Sequence, residues 1–402
     1  MSQHLLMLGG GHAHLPLLRS AADINGEGHH VTLVSPEPEH YYSAMGPGML
    51  GGSYAADDAR FPIREMAEAS GVRWVRDRAV RIRPLDRIVE LAGGESLSYD
   101  VLSVNTGSSV APTVAVDRGP GGGPRVFTAK PVSGLFEARR YVDEVVRRMV
   151  EGRRPGEPED EEGELRIAVV GGGPSAVEIA ANVRRLVRSL SAVGDERTGV
   201  DLYAADAILR GLSGRAARIA RRALQASGVR LHECVPVRRV APEGVVTATG
   251  VEPADLVLLA TGVVPSRLYR DSQLPVGPDG SLAVNEYLHC LGHRNVFGAG
   301  DCIWYTPRPL ARAGVYAVRQ SSVLVHNVRA ALSGRYDRLR RFVPGGGYML
   351  LLNLGDETAL LWRRVLGVPI VVRARWAWRL KRRIDRAFMQ KHGSGGDRGN
   401  EY

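Results

Sequence analysis

LRIAVVGGGPSAVEIA, residues 165–180 of this 402-residue chain, is the clearest structural signal in the sequence. Its first six residues form an apolar run typical of a buried strand, and an apolar-periodic segment follows the three glycines. A strand, a glycine turn and a helix in this order are typical of a dinucleotide-binding α/β unit. Gly171 makes the turn, Gly173 lets the backbone approach a pyrophosphate, and Ala176 is the small third residue. The stretch therefore predicts a nucleotide site.

The same pattern occurs earlier in the chain. HLLMLGGGHAH, residues 4–14, places Gly9 and Gly11 after another apolar run, although His14 stands where a small third residue is usual. HVTLVS, residues 30–35, reads as the next strand. Two copies about 160 residues apart predict an α/β fold with two Rossmann-like dinucleotide-binding domains. In each copy the free amides and the dipole at the start of the following helix favour the pyrophosphate, and two dinucleotides in one chain indicate electron transfer between them.

Composition excludes several classes of protein. The chain lacks a run of about eighteen apolar residues, so no membrane-spanning helix is predicted. Residues 1–8 lack the basic start of a signal peptide, and a cytoplasmic location is therefore expected. The net charge of +10 is unevenly spread, because residues 157–164 are acidic and the C-terminal part is basic.

Neither the cysteines nor the histidines predict a metal site. Cys234, Cys290 and Cys302 lie far apart without a CxxC pair, which argues against a zinc finger, a redox dithiol and a disulfide scaffold. His12 and His14 have no carboxylate or cysteine at ligand spacing, so we expect them to lie near the pyrophosphate instead.

The segment from Arg373 to Lys391 carries eight bases and one acid, Asp385. Such a segment indicates an anionic partner, and no zinc-finger, RNP-type or basic-zipper pattern points to nucleic acid. Projected as a helix, it has an apolar face opposite an arginine face, as an in-plane interfacial helix requires. The apolar face consists of Trp376, Ala377, Leu380, Ile384, Ala387 and Phe388, and the basic face of Arg375, Arg379, Arg382 and Arg386. Peripheral membrane contact at the cytoplasmic face is the prediction; docking of the apolar stripe on the protein itself, or on a second subunit of a homodimer, is the alternative.

Three further motifs point to a known family. Asn105-Thr106-Gly107 and Ala260-Thr261-Gly262 each end a predicted strand, and GAGDC occupies residues 298–302. With the two glycine turns, these motifs make the chain resemble the two-domain pyridine nucleotide–flavin oxidoreductases over nearly its whole length. The tail WRLKRRIDRAFM is similar to that of membrane-associated type II NADH:quinone oxidoreductases. GGGHAH and YYSAMGPGML resemble a bacterial side branch of that group, sometimes fused to selenide, water dikinases.

The resemblance implies roles for particular residues. Asp301 would accept a hydrogen bond from the ribityl chain of FAD, and a helix beginning near Gly314 would direct its N-terminal dipole at the flavin. Glu178, Tyr316 and Gln320 match catalytic positions, with Glu178 orienting the nicotinamide or taking up a proton. The implied cofactors are FAD at the first turn and NAD(P)H at the second. The expected cofactor-binding residues are Gly9, Gly11, His12, Ala13, His14, Ser35, Glu37, Thr106, Gly107, Gly171, Gly173, Pro174, Ser175, Gly262, Gly300, Asp301 and Ala317.

The same resemblance divides the chain into five segments. Residues 1–130 are the first part of the FAD-binding domain, and 131–164 are a connecting helix and an acidic linker. Residues 165–265 are the NAD(P)H-binding domain, and 266–345 are the second part of the FAD-binding domain. Residues 346–402 form a C-terminal domain with two strand-like runs, the basic amphipathic helix and a disordered end.

The sequence departs from the family pattern where the second strand of each fold ends. An acidic residue usually binds the ribose hydroxyls there. Ser35 stands at that place in the first fold, with Glu37 two residues later. Ala204 stands there in the second fold, followed by Asp206 and by Arg210, which is able to meet a 2′-phosphate. The choice between NADH and NADPH is therefore left open.

The leading hypothesis is an NAD(P)H:quinone oxidoreductase. The alternatives are an NAD(P)H-dependent reductase of a protein or of a sulfur or selenium compound, a sulfide:quinone oxidoreductase-like enzyme, and a non-catalytic redox sensor. Sulfide enzymes of this fold need a pair of reactive cysteines beside the flavin. Only Cys302 is expected near the flavin, with Cys234 expected in a strand of the second domain, so the sulfide reading is disfavoured.

Overall fold

Both glycine turns lie at the carboxyl end of a parallel strand in the computed structural model, which describes residues 2–117, 122–151 and 164–393. The predicted glycine-rich loop at 117–125, the acidic linker at 152–164 and the C-terminal end lie wholly or partly outside these residues. The fold is mixed α/β with two dinucleotide-type sheets and a C-terminal helix, which confirms the predicted class.

The strands are numbered in chain order: β1 His4–Leu8, β2 His30–Val34, β3 His40–Tyr41, β4 Arg60–Phe61, β5 Arg73–Val75, β6 Ala79–Arg83, β7 Ile88–Leu91, β8 Ser96–Ser98, β9 Val101–Val104, β10 Ser109–Val110, β11 Ala115–Val116, β12 Arg125–Thr128, β13 Leu165–Val170, β14 Thr198–Ala204, β15 Val229–Glu233, β16 Arg239–Ala241, β17 Gly244–Val246, β18 Val251–Pro253, β19 Leu256–Leu259, β20 Val263–Val264, β21 Leu282–Val284, β22 His289–Cys290, β23 His293–Gly298, β24 Ile303–Tyr305, β25 Met349–Asn353, β26 Ala359–Val365 and β27 Val368–Ala374. The helices are α1 Leu15–Arg19, α2 Ala21–Gly26, α3 Gly46–Leu50, α4 Ile63–Ala69, α5 Ser133–Glu151, α6 Pro174–Leu190, α7 Ala192–Glu196, α8 Gly214–Ala226, α9 Leu268–Asp271, α10 Gly314–Leu332 and α11 Arg375–His392.

The first large sheet has eight strands in the order β24-β21-β22-β23-β9-β1-β2-β5. Strands β23, β9, β1, β2 and β5 are parallel, with β5 at the edge of the sheet. The central strands β1 and β9 are almost continuously buried, as expected of a sheet that is covered on both faces. Because β21–β24 lie late in the chain, this sheet is assembled from two separate stretches of sequence.

The second large sheet has five parallel strands in the order β12-β19-β13-β14-β15. Helix α6 follows β13 directly and packs its apolar face into the core of this unit. Strand β12, which precedes β13 by some forty residues, is an edge strand of this sheet. The predicted domain boundaries themselves stay a prediction.

The C-terminal part is a three-stranded antiparallel sheet, β25-β26-β27, followed by helix α11. One face of the sheet packs on the second unit through Leu360 and Trp362, and the other packs on α11 through Leu361 and Ala377. Within the described residues, no helix is long and apolar enough to cross a membrane.

Candidate functional site

The first glycine turn is held against the end of strand β9. Gly9 has φ +85°, and a Cβ there would lie 2.5 Å from the Asn105 carbonyl oxygen; a Cβ at Gly11 would overlap the Asn105 side chain. Asn105 Oδ1 accepts the Ala13 N–H at 3.0 Å, and its Nδ2 donates to Ala299 O at 2.6 Å. Both glycines are therefore required sterically. Asn105, the first residue of the Asn105-Thr106-Gly107 motif, is therefore hydrogen-bonded both to the first glycine turn and to the GAGDC motif.

His14 has a structural role in this turn. Its ring is buried, with Nδ1 2.6 Å from Gly9 O and Nε2 2.8 Å from the Ser103 hydroxyl. Burial lowers the pKa of His14 to about 4. The imidazole thus fills the place of the usual small residue and is stabilised there by two hydrogen bonds.

The other residues predicted for the first site lie at one edge of the first sheet. Ser35 follows β2, Thr106 and Gly107 follow β9, and Gly300 and Asp301 follow β23. Because these strands are parallel neighbours of β1, their carboxyl ends share an edge, which is where ligands bind in open α/β sheets.

Several of these side chains already have protein partners. The Ser35 hydroxyl donates to Glu37 O at 3.0 Å, and the Glu37 side chain is exposed. The Thr106 hydroxyl is 2.7 Å from that of Tyr269. Among the described residues, the exposed Glu37 carboxylate just after β2 has no hydrogen-bond or ion-pair partner.

Asp301 lies in a charged cluster at the same edge. Its carboxylate accepts hydrogen bonds from the Ser108 hydroxyl at 2.9 Å and from Lys130 Nζ. Gly300, with φ +78°, donates its N–H to Gln320 Oε1 at 2.7 Å, and Ala317 packs against it. Lys130 was not predicted from the sequence, because it is 171 residues from its partner.

The second turn is open where a nucleotide would approach. A Cβ at Gly171 would overlap the Ala260 carbonyl, whereas a Cβ at Gly173 would meet nothing within 4 Å. Gly173 is the N-cap of α6, Pro174 is its first residue, and the exposed Ser175 follows. Gly262, with φ +104°, follows β19 at the same sheet edge. The five residues predicted for the second nucleotide therefore lie together.

Glu178 lies one turn further along α6. Its Oε1 accepts the Asn353 N–H at 2.7 Å. Burial raises the pKa of Glu178 to about 7, and the Asp385 charge acts in the same direction, whereas Lys381 and the Asn353 hydrogen bond act against the rise. A carboxyl group with this pKa can hold or release a proton at neutral pH.

The groups that influence Glu178 belong to a buried polar network that reaches into α11. Lys381 Nζ donates to Ala44 O at 2.7 Å and to Asp385 Oδ2 at 3.1 Å, and the Tyr54 hydroxyl donates to the same carboxylate oxygen at 2.8 Å. Lys381 and Asp385, which the sequence shows only as one of the eight bases and the single acid of the segment 373–391, are both buried. Their spacing of four residues on one helix was the signal that could have revealed the pair.

Tyr316 and Gln320 lie on α10, and both are buried. The Tyr316 ring is 6.0 Å from that of Tyr348, and the Arg319 guanidinium lies 5.7 Å from its centroid. Gln320 is engaged with Gly300, as described above. The catalytic roles of Glu178, Tyr316 and Gln320 stay predictions.

The three cysteines are free and separated. Cys302 is buried, with Sγ 3.2 Å from Ala299 O, and Cys290 is buried in the first sheet. Cys234 lies one residue beyond β15 rather than within a strand, and it is exposed. Burial raises the pKa of the Cys302 thiol, which disfavours a nucleophilic thiolate there.

The first site fits a dinucleotide on two observations. Gly9, Gly10 and Gly11 of the turn are partly accessible to solvent, and His12 Nε2 is shielded from solvent with no hydrogen-bond partner among the described residues. A buried unpaired ring nitrogen is costly unless a ligand meets it. The second site fits through the open space beside Gly173.

Comparison with known proteins identifies relatives in sequence and solved structures with a similar fold. Ferroptosis suppressor protein 1 of Xenopus tropicalis is 27% identical over 300 residues, which cover 69% of this chain and 68% of that protein. The external alternative NAD(P)H-ubiquinone oxidoreductase B1, mitochondrial, of Solanum tuberosum is 27% identical over 306 residues, and this chain spans only 52% of its length. Among solved structures, NDH2 from Plasmodium falciparum in complex with NADH has a TM-score of 0.76 at 13% identity, covering 98% of this chain and 99% of that one.

A sulfide:quinone oxidoreductase from Aquifex aeolicus also shares the fold, with a TM-score of 0.72, 15% identity, and coverage of 98% of this chain and 92% of that one. The family model described as pyridine nucleotide-disulphide oxidoreductase matches residues 3–321. This match confirms the resemblance drawn from the glycine turns and GAGDC. The chain belongs to the pyridine nucleotide-disulphide oxidoreductase family.

Proposed function

We propose that this protein binds FAD at the first glycine turn and NAD(P)H at the second, and that it transfers electrons from NAD(P)H to a quinone. The observation that carries the proposal is the pairing of two glycine turns, each at the carboxyl edge of its own parallel sheet, with Glu178 of the second unit close to the C-terminal helix. Relatives named as NAD(P)H-ubiquinone oxidoreductases support the choice of acceptor.

The residues of the first site suit the parts of FAD. The turn at Gly9 and Gly11 would receive the diphosphate, Glu37 the adenosine ribose, and Asp301 the ribityl chain. FAD, when bound, supplies a centre that accepts a hydride and releases two electrons. The N-terminus of α10 lies at the same edge and would stabilise negative charge on the reduced ring system through its dipole.

Glu178 is the residue best placed to take up or release a proton. Its side chain is partly buried, and this burial raises its pKa to about 7. The charge of Lys381 opposes the rise of the Glu178 pKa, so that part of the Glu178 carboxyl groups are ionised at neutral pH. An ionised carboxyl group can take up a proton when negative charge is formed nearby. We place quinone reduction at this end of the protein, where Tyr316 and the buried Lys381–Asp385 pair also lie.

Contact with a membrane would deliver a lipid-soluble quinone to this end. The predicted apolar face of α11 is divided in the structure: Ala377 and Phe388 pack on the protein, whereas Trp376 and Ile384 are exposed. The hairpin between β26 and β27 adds four further exposed apolar side chains. The apolar surface, as we define it, consists of Val365, Leu366, Val368, Ile370, Trp376 and Ile384.

Two features favour an anionic lipid surface as its partner. Leu366 is 99% exposed at the hairpin tip with φ +47°, a conformation usually taken there by Asn or Gly, so the turn itself does not call for leucine. Exposed arginines surround the apolar surface, and the sole acid between residues 359 and 392 is the buried Asp385. A second copy would bring arginines against arginines, whereas anionic lipid would pair with them.

The test is anaerobic stopped-flow reduction of the purified protein, followed by a steady-state screen of acceptors. We expect a yellow protein that NADH or NADPH bleaches, and that a short-chain ubiquinone reoxidises faster than polysulfide, selenite or a ferredoxin. A colourless protein that does not take up FAD would contradict the cofactor assignment. Rapid bleaching with reoxidation by a sulfur or selenium compound alone would contradict the quinone assignment.

A further inference from the structure

His12 and His40 form a partly buried pair beside the first glycine turn. His12 directly follows Gly11, and its Nδ1 lies 3.0 Å from Nε2 of His40, with the rings perpendicular and their centroids 4.7 Å apart. Tyr42 and Phe388 enclose the His12 ring at centroid distances of 5.3 and 5.8 Å. The other ring nitrogen of His12, Nε2, has no partner in the described part of the chain.

The charged groups that act on the pair are all basic. Lys130 acts on both rings, and His392 of α11 acts on His12. Lys130 is itself bonded to Asp301 and Ser108. Burial, followed by these charges, lowers the pKa of His40 to about 4 and the pKa of His12 as well. Both rings are therefore neutral at neutral pH, and no carboxylate of the described residues acts on either ring to stabilise an imidazolium.

A dinucleotide bound at the neighbouring glycine turn would supply an anion. In a dinucleotide fold the diphosphate rests on the backbone around the second glycine of the turn, next to the residue that here is His12. We propose that the His12–His40 pair is a proton-accepting part of the FAD site, which takes up one proton when the FAD diphosphate binds. The inference rests on the proposed FAD site, and it adds His40 to that site.

The proton balance is simple. One proton passes from solvent buffer to His40, which then carries hydrogen on both nitrogens and donates through Nε2–H to His12 Nδ1. His12 would keep its hydrogen on Nε2 and would donate it to a diphosphate oxygen. The negative charge of the diphosphate would offset the repulsion between Lys130 and the protonated His40.

The experiment is an FAD titration of flavin-stripped apoprotein, followed by fluorescence quenching between pH 5.5 and 7.5. One proton taken up per FAD tightens the Kd by up to about tenfold per pH unit as the pH falls. Calorimetric titration in two buffers of different ionisation enthalpy gives the number of protons independently, and we expect close to one. Riboflavin, which lacks the diphosphate, should bind without this proton uptake.

His40→Gln keeps a donor for His12 Nδ1 but cannot take up a proton. We expect its Kd at pH 7.5 to stay within about threefold of the parent, with the pH dependence lost. His326→Gln, at a partly exposed histidine of α10 that is hydrogen-bonded to Arg338 O, is the matched control and should behave as the parent. Equal FAD affinity at all pH values in the parent, with no buffer dependence, would overturn the inference even if the His40 variant fails to fold. Equal proton uptake with riboflavin would also overturn it, whereas failure of any FAD to bind would contradict the proposed function instead.

Discussion

Lys381 and Asp385 lie one turn apart on α11, with the lysine Nζ 3.1 Å from the aspartate Oδ2 and both side chains almost fully buried. A buried ion pair is costly to form, and such pairs are retained where their charges serve another group. Here the lysine also holds the Ala44 carbonyl, the aspartate accepts from Tyr54, and both charges act on Glu178. The C-terminal helix therefore supplies both charges of the polar network around Glu178.

Removal of the lysine alone should destabilise the protein strongly. Lys381→Met leaves Asp385 buried with only the Tyr54 hydroxyl as donor, and we expect a loss of about 3 kcal/mol in the free energy of unfolding. The double variant Lys381→Met/Asp385→Asn removes both charges and should recover most of this loss. Denaturant unfolding curves provide the measurement.

Arg383→Met, two residues away on the exposed side of the helix, is the control and should change stability by less than about 0.5 kcal/mol. A single lysine variant as stable as this control would mean that the buried pair contributes nothing to the fold.

Glu178 should make stability depend on pH. Its pKa is raised by folding from 4.5 to about 7, so folding favours the protonated form. The contribution is present in full below pH 4.5 and is lost as the pH rises through 7, by roughly 3 kcal/mol. Glu178→Gln keeps an acceptor for the Asn353 N–H and cannot ionise. Its free energy of unfolding should match that of the parent at pH 5 and exceed it at pH 8; an unchanged difference between the two pH values would contradict the raised pKa.

The fold was predictable because its signal is local. Gly9 and Gly171 each follow an apolar run and precede a helix, so the sequence predicts strand, turn and helix without any long-range contact. Thr106, Gly262 and Asp301 lie at the carboxyl edges of their sheets because each follows a parallel strand, and this placement was predictable from the strand order.

Much of the site was not predictable, because its partners are distant in sequence. His40 meets His12 across 28 residues, Lys130 meets Asp301 across 171, and Tyr54 meets Asp385 across 331. The sequence counts Lys381 only as one of eight bases in a segment expected to meet an anionic partner, whereas the fold buries it because Asp385 and a backbone carbonyl accept its hydrogen bonds. A polarity pattern identifies a face of a helix, but not which charges have buried partners.

Gly173→Val should separate the two nucleotide sites. The space around a Cβ at Gly173 is open, so valine fits the apoprotein and would occupy the place of the second diphosphate. We expect a folded yellow protein that NADH and NADPH no longer bleach, as measured by anaerobic titration.

Gly11→Val is predicted to lose FAD, but its side chain would also overlap Asn105, so its folding must be checked by circular dichroism. Loss of flavin in the Gly173 variant, with flavin kept in the Gly11 variant, would reverse the assignment of the sites.

The cysteines should be dispensable for turnover. Cys302 and Cys290 are buried as small apolar groups, so alanine replaces them better than serine, whereas serine suits the exposed Cys234. The triple variant Cys234→Ser/Cys290→Ala/Cys302→Ala should reduce a quinone with NAD(P)H at a rate within a few-fold of the parent. Sulfide-dependent quinone reduction in the parent, abolished in this variant, would instead indicate a sulfide enzyme.

The apolar surface should bind anionic vesicles through the hairpin tip. Each exposed arginine near an anionic leaflet contributes about 1 kcal/mol, and the tip residues bury apolar area in the headgroup region. We expect the intact protein to sediment with phosphatidylglycerol vesicles at low salt, less at high salt, and hardly with phosphatidylcholine vesicles. The double variant Leu366→Asp/Val368→Asp should lose at least about tenfold in vesicle affinity, because two carboxylates replace apolar groups at the contact.

Leu85→Asp is the matched control, since Leu85 is 88% exposed but lies in the hairpin between β6 and β7, on a different sheet. It should leave vesicle binding unchanged. Truncation before Arg373 is unsuitable, because it removes the buried Lys381–Asp385 pair and Phe388, which stacks on Tyr42 at 4.4 Å. Turnover with a water-soluble short-chain quinone should be equal in the parent and both variants, since the chemistry does not need the membrane. Intact protein that binds neither vesicle type would leave the hairpin tip as a surface for another partner, and the lipid assignment would be wrong even if quinone turnover is found.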